Sequence, residues 1–196
     1  MQNDTQSYAF ARGPFARERT FRLAPDALLW GNGKRSGRLA YADIATVHLY
    51  TRSGPYGRSM QVCALRARSG AGLAIQSKHF GRWGRQDDRS AAFAPFVRAL
   101  LGRVATAAPG ARCFRGFPIG LYYATLAAFI VLALVFLANL AFALQGAPDS
   151  GSAAVVTAVL LVALFPSGWR NLRDGRPRPS SLHELAEGLP RPARAA

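Results

Sequence analysis

The chain has 196 residues, with 25 Lys and Arg against 10 Asp and Glu, a net charge of +15 and 50% hydrophobic residues. That much apolar content excludes a disordered basic tail, and the length allows one or two domains with a real core. So large an imbalance points first to nucleic acid, but the distribution of charge redirects that reading. Residues 1–116 carry 19 basic and 6 acidic side chains, residues 117–169 a single acid, Asp149, and residues 170–196 six basic and three acidic ones. One block is almost free of charge, and the positive charge stands on both sides of it.

The start, MQNDTQSYAF, has no basic residue ahead of an apolar core, so no signal peptide is expected. Gln2 does not suit myristoylation, and no terminal Cys offers a prenylation box. Residues 1–17 form a basic and aromatic N-terminal segment. In Phe10–Arg22, Phe10, Phe15 and Phe21 interleave with Arg12, Arg17, Arg19 and Arg22. On a membrane surface such a stretch would insert Phe and set Arg against anionic headgroups, each worth about 1 kcal/mol. A flexible lead into a strand is the plainer alternative.

Residues 18–116 read as a small β-rich domain. Arg19–Leu23 and Ala27–Gly31 are apolar-rich runs separated by Ala24-Pro25-Asp26, a hairpin turn signal, and Asn32-Gly33-Lys34 is a second turn. Gly37–Tyr41, Ile44–Thr51, Met60–Arg68 and Leu73–Ser77 are the next strands, with Val47 and Leu49 alternating against His48 and Tyr50. A helix is predicted over Asp88–Val104. Phe93, Phe96, Val97, Leu100, Leu101 and Val104 make one apolar stripe, with Asp87, Asp88 and Ser90 as start signals and Pro95 near the first turns. Lys78, Arg82, Arg85 and Arg89 surround the loop before it. Ala111–Arg115 adds a short strand.

The fold class expected is therefore α+β: a strongly bent antiparallel sheet closed by one C-terminal amphipathic helix. Phe21-Arg22-Leu23, Asp26, Leu28-Leu29-Trp30, Gly37-Arg38-Leu39, Tyr41-Ala42-Asp43-Ile44 and Val47-His48-Leu49 carry a resemblance over about residues 18–105. The pattern resembles the pleckstrin-homology-like (PH-like) fold of bacterial membrane proteins. The resemblance implies seven strands before the helix, where six are read here.

Ile119–Leu144 is 26 residues without a charge, long enough as a helix to cross a hydrocarbon core of roughly 30 Å. Residues 117–144 are read as a first transmembrane helix and residues 152–169 as a second, all-α hairpin around a short non-cytoplasmic loop at 145–151. Arg112 and Arg115 precede the first span, and Arg170, Arg173, Arg176 and Arg178 follow the second. The loop has no basic residue, so the positive-inside rule predicts a multi-pass protein of the bacterial inner membrane with both termini cytoplasmic. Arg112, Arg115 and Arg170 join Arg12, Arg17, Arg19 and Arg22 as candidate contacts for anionic lipid. Ala154 and Ala158 form a small-residue pair, and Asn139 is the strongly polar residue of the first span; these three are the candidates for helix–helix packing. Residues 170–196 form a Pro/Arg-rich cytoplasmic tail. A short helix at Ser181–Glu187 with Leu182, Leu185 and Leu189 could dock on the domain or a partner; disorder is the plainer alternative.

No catalytic, cofactor or metal motif is found. His48, His79 and His183 have no ligand spacing, Asp87 and Asp88 read as helix-start charge, and the Gly-rich stretches fit hairpin turns. Cys63 and Cys113 read as buried apolar residues. The function expected is non-catalytic, a membrane-anchored binding or scaffold module without a cofactor. Its expected partners are the bilayer, anionic inner-leaflet lipid and a protein partner or second copy. The alternatives weighed are a small oligomeric transport or channel subunit and a membrane-tethered nucleic-acid binder, and nucleic acid is the least favoured partner.

Overall fold

The computed structural model describes residues 6–13, 15–53, 59–81, 85–145, 152, 155–156, 158–159, 169–170 and 172–189. Chain contacts divide them into two units. One draws on residues 1–50, 60–116 and 178–196, the other on 51–59 and 117–177.

The first unit is α+β. Its first sheet is a four-stranded antiparallel meander: β1 (Ser7–Phe10), β2 (Arg19–Leu23), β3 (Ala27–Gly31) and β4 (Ser36–Ala40). The β3–β4 turn forms where expected. Asn32 Oδ1 accepts from the amides of Lys34 and Arg35 at 3.2 and 2.8 Å, and Gly33 takes φ +77, the left-handed region that glycine enters without strain. Tyr41–Asp43 is a 3-10 turn rather than the end of a strand. It turns the chain into β5 (Ile44–Ser53), β6 (Ser59–Ala67) and β7 (Gly72–Gln76) of the second sheet.

Three features depart from expectation. β1 lies inside the segment read as a basic N-terminal lead. Tyr8 and Phe10 are buried at 4% and 0% exposure, and Phe10 stacks on Phe21 at 5.7 Å between ring centroids. The loop before the helix holds a further hairpin, β8 (Lys78–Phe80) with β9 (Gln86–Asp88). The second sheet is also mixed. β10 (Arg112–Arg115) runs parallel to β5, and β11 (Arg178–Ser180), from the tail, pairs antiparallel with β10. The order is β11-β10-β5-β6-β7. A single antiparallel sheet is therefore replaced by two sheets and a hairpin.

The edges facing each other across the two sheets are tied by side chains. Tyr8 on β1 donates its hydroxyl to Gln76 O at 2.6 Å, and Arg12 donates to Ala74 O at 3.2 Å, both carbonyls belonging to edge strand β7. These bonds occupy acceptors that an open edge leaves unpaired.

Helix α1 (Ser90–Ala107) buries the predicted stripe, Phe93, Phe96, Val97, Leu100, Leu101 and Val104, with Ala94 added. Its start is held by Asp88, which accepts from Ser90 N at 2.8 Å and from the Ser90 hydroxyl. Those bonds hold the Asp88 carboxyl below its usual range. Pro95 stands inside the helix, about a turn and a half from its start, where it removes the amide that would bond back to Ala91 O.

The tail completes this unit. After β11, α3 (Leu182–Glu187) starts on a full capping box: Ser181 Oγ accepts from Glu184 N at 3.1 Å, and the Glu184 carboxylate accepts from Ser181 N at 3.0 Å. Helix α3 packs on α1 and β10, with Leu185 and Leu189 buried at 1% and 2%. The docked alternative for this segment is thus the observed one.

In the second unit α2 (Ile119–Leu144) is the one helix, among the described residues, long and apolar enough to cross a membrane. Its mean hydropathy is 2.6, and none of its residues is buried. Its partly covered residues, Leu126 apart, recur at alternating spacings of three and four: Tyr122, Thr125, Phe129, Leu132, Phe136, Asn139 and Ala143. That is the a/d spacing of a packed helix seam, while Ile130, Val131, Leu134 and Leu137 are more than half exposed. Of the second apolar run, Ser152, Val155, Val156, Ala158, Val159 and Trp169 are described and helical. Ala154 and residues 146–151 of the connecting loop lie outside the described residues.

Candidate membrane-facing interface

The points where the chain leaves and re-enters the first unit are neighbours. β10 ends at Arg115, β11 begins at Arg178, and these two residues are direct partners in the antiparallel register. Gly116 follows β10 with φ +112, a value that side-chain-bearing residues rarely adopt, and donates its amide to Leu49 O at 3.0 Å. Within the second unit the same closure recurs: Phe117 N donates to Gly175 O at 2.8 Å. The intervening segment therefore begins and ends at one place, as judged from either unit.

The cations expected to meet lipid stand on several elements of both units. Arg12 follows β1 with its guanidinium on Ala74 O, where burial and the nearby Arg19 push its pKa down. Arg17 is exposed in the β1–β2 loop. Arg19 is half-buried opposite Phe10, and Arg22 is exposed on the outer face of β2. Arg112 and Arg115 are exposed on β10 of the other sheet, and Arg170 is exposed in a helical stretch of the second unit. Within the first unit the six are spread over both sheets and the β1–β2 loop. Of the three interleaved aromatics, Phe10 and Phe21 are core residues, and Phe15 alone is free, at 99% exposure. Insertion of all three Phe into a leaflet is thereby excluded, since two of them hold the sheet together.

Sequence reasoning left Arg178 out of this group. It was legible only as one more flanking arginine, because its pairing with Arg115 depends on the tail folding back. The α2 seam was also missed. Apolar residues occupy every face of that helix, so no face stands out until its packing is seen. Asn139, the packing candidate, donates Nδ2–H to Val135 O of its own helix at 2.9 Å, and Thr125 does the same toward Leu121 O at 2.8 Å.

Other chemistry-bearing residues are engaged structurally. The His48 ring stacks on Phe114 at 4.9 Å, and burial lowers its pKa. His79 Nδ1 accepts the Ala11 amide at 3.2 Å. Glu18 lies 3.3 Å from Arg89, and Asp87 lies 3.4 Å from Arg85. Burial pushes the Cys63 thiol up to about 12 and raises Cys113 as well, which leaves both far from the thiolate form. Among the described residues no group of three His, Cys, Asp or Glu is arranged to hold a metal ion. Comparison with protein-family models, curated proteins and solved structures gives no match.

Proposed function

We propose that the protein is a non-catalytic membrane-anchored module, in which a PH-like sheet unit is held at the cytoplasmic face of a bacterial inner membrane by a two-helix hairpin. The observation that carries this reading is the pairing of Arg115 with Arg178. Residues on both sides of the apolar segment fold into one unit, so the chain between them crosses a membrane an even number of times. A charge-free helix of 26 residues with no buried side chain makes zero crossings costly, and two is the smallest even number left. The partly covered seam of α2 has the spacing expected if a second helix lies along it.

Orientation rests on charge. The exit strands carry Arg112, Arg115 and Arg178, whereas residues 145–151 hold Asp149 and no base. The PH-like reading is supported by the seven strands β1–β7, four in the meander and three in the second sheet, followed after the β8–β9 hairpin by an amphipathic helix. The transport-subunit and nucleic-acid readings gain no observation of their own.

The test is excision. Because β10 and β11 are antiparallel partners, residues 116–177 can be replaced by an Asn-Gly turn that makes them an ordinary hairpin. The shortened protein is expected to be soluble and monomeric, with a β-rich circular dichroism spectrum and cooperative unfolding, and to leave the membrane fraction entirely. Retention in alkali-washed membranes would contradict the hairpin as the anchor.

A further inference from the structure

Arg115 and Arg178 are direct cross-strand partners, so their side chains share one face of the sheet about 5 Å apart at Cβ. Like charges so placed are destabilising unless something lies between them. Among the described residues neither arginine has an acidic partner within 4.0 Å. The acids of the neighbouring α3 are used elsewhere: Glu184 closes the capping box, and Glu187 lies 3.7 Å from His183. The Arg115 Nη1 passes 3.6 Å from where a Cβ on Gly188 would stand, beside the C-terminal end of α3. That end supplies partial negative charge, short of a full counter-ion. β11 is the outer strand of its sheet, so the pair is open to approach.

We propose that Arg115 and Arg178 together bind the phosphate of an anionic phospholipid in the leaflet next to the sheet unit. The inference rests on the membrane reading above and names a partner for it. Two guanidinium forks on one face match the oxygens of a phosphate. The location fits a headgroup: from Arg115 to Ile119, the first residue of α2, the chain can extend no more than about 14 Å. A headgroup phosphate lies within that distance of the hydrocarbon edge, and the bridging anion would turn a repulsive pair into a favourable one.

The test uses the full chain in nanodiscs of phosphatidylcholine or of an equal mixture with phosphatidylglycerol. Lipids that stay with the protein after transfer to detergent are quantified. The wild type is expected to retain phosphatidylglycerol preferentially. Arg115→Gln with Arg178→Gln is expected to lose about fivefold of that preference per arginine, while Arg66→Gln with Arg68→Gln, exposed at the C-terminal end of β6, keeps it. In pure phosphatidylcholine the double variant is expected to unfold no earlier than wild type, because repulsion is relieved. Should the double variant not fold, single Arg178→Gln on the edge strand gives the same comparison at half the effect. Unchanged preference in the Arg115/Arg178 variants overturns the proposal, as does an equal loss in the Arg66/Arg68 control. A stabilisation by inorganic phosphate in detergent as large as that by phosphatidylglycerol would make the site one for free phosphate, and would also overturn it. Insertion is scored separately by resistance to alkaline washing. Failure there sinks the membrane reading, whereas insertion without lipid preference sinks the lipid site alone.

Discussion

Phe10→Ala lowers the stability of the sheet unit by about 3–5 kcal/mol, whereas Phe15→Ala changes it by less than about 0.5 kcal/mol. The two residues stand five apart in a stretch of uniform composition, yet Phe10 is fully buried and Phe15 is 99% exposed. Phe10 fills the space between Phe21, stacked at 5.7 Å, and Tyr8 at 6.0 Å, which in turn meets Phe96 of α1 at 5.5 Å. Truncation to Ala removes the centre of that aromatic row and leaves a cavity that two strands and a helix cannot all close. The edge bonds from Tyr8 and Arg12 to β7 would loosen with it, since both donors are carried by the same short stretch of chain. Denaturant titration of the full chain in detergent, followed by far-ultraviolet circular dichroism at β-sheet wavelengths, reads the difference. Equal effects for the two substitutions would return the N-terminal segment to the status of a surface lead.

Leu185→Ala costs about 2–5 kcal/mol and releases the C-terminal segment from α1. Leu185 is 1% exposed on a helix of six residues, far too short to persist alone. Its helical state therefore depends on packing and on the capping box. The same dependence gives a pH effect. Bonds from Ser181 N–H and the Ser180 hydroxyl hold the Glu184 carboxyl below its usual range. A group whose folded pKa is depressed stabilises the fold at neutral pH, and that contribution is lost as pH falls through the folded value. Hydrogen-exchange protection factors, taken relative to the slower intrinsic exchange of acid, at the amides of Leu185 and Gly188, bonded to Ser181 O and Glu184 O at 3.1 and 3.0 Å, are expected to fall in acid and in Leu185→Ala alike. Protection that survives both would mean α3 is held by something other than Leu185 and its cap.

These two cases mark where the sequence was informative and where it was not. The α1 stripe was legible to the residue because its period of 3.6 stands against polar neighbours. The Asn32-Gly33 turn was legible because its chemistry is local. β1 was not, since Phe10 and Phe15 sit among the same arginines and only tertiary packing separates them. β8 and β9 were too short and polar to stand out from a loop. The tail carried a clear local signal, Ser181 followed by Glu184, but a cap says where a helix starts and not what it docks on. The parallel pairing of β10 with β5 joins Cys113 to Val47 across a long stretch of chain, and no local pattern encodes it. The site suffered most from this. Arg115 and Arg178 meet only after the tail returns, so their relation is invisible in a one-dimensional charge count, though that count did locate the uncharged block between them.

The central claim is that residues 116–177 leave and return on one side of a membrane. Single cysteines at Ser69, Gln145 and Glu187, all exposed, test it directly in a background with Cys63 and Cys113 replaced. A membrane-impermeant thiol reagent applied to spheroplasts is expected to label Gln145→Cys and to leave Ser69→Cys and Glu187→Cys unlabelled until the membrane is broken. Labelling of Glu187→Cys together with Gln145→Cys, with Ser69→Cys protected, would mean a single crossing and would contradict the account.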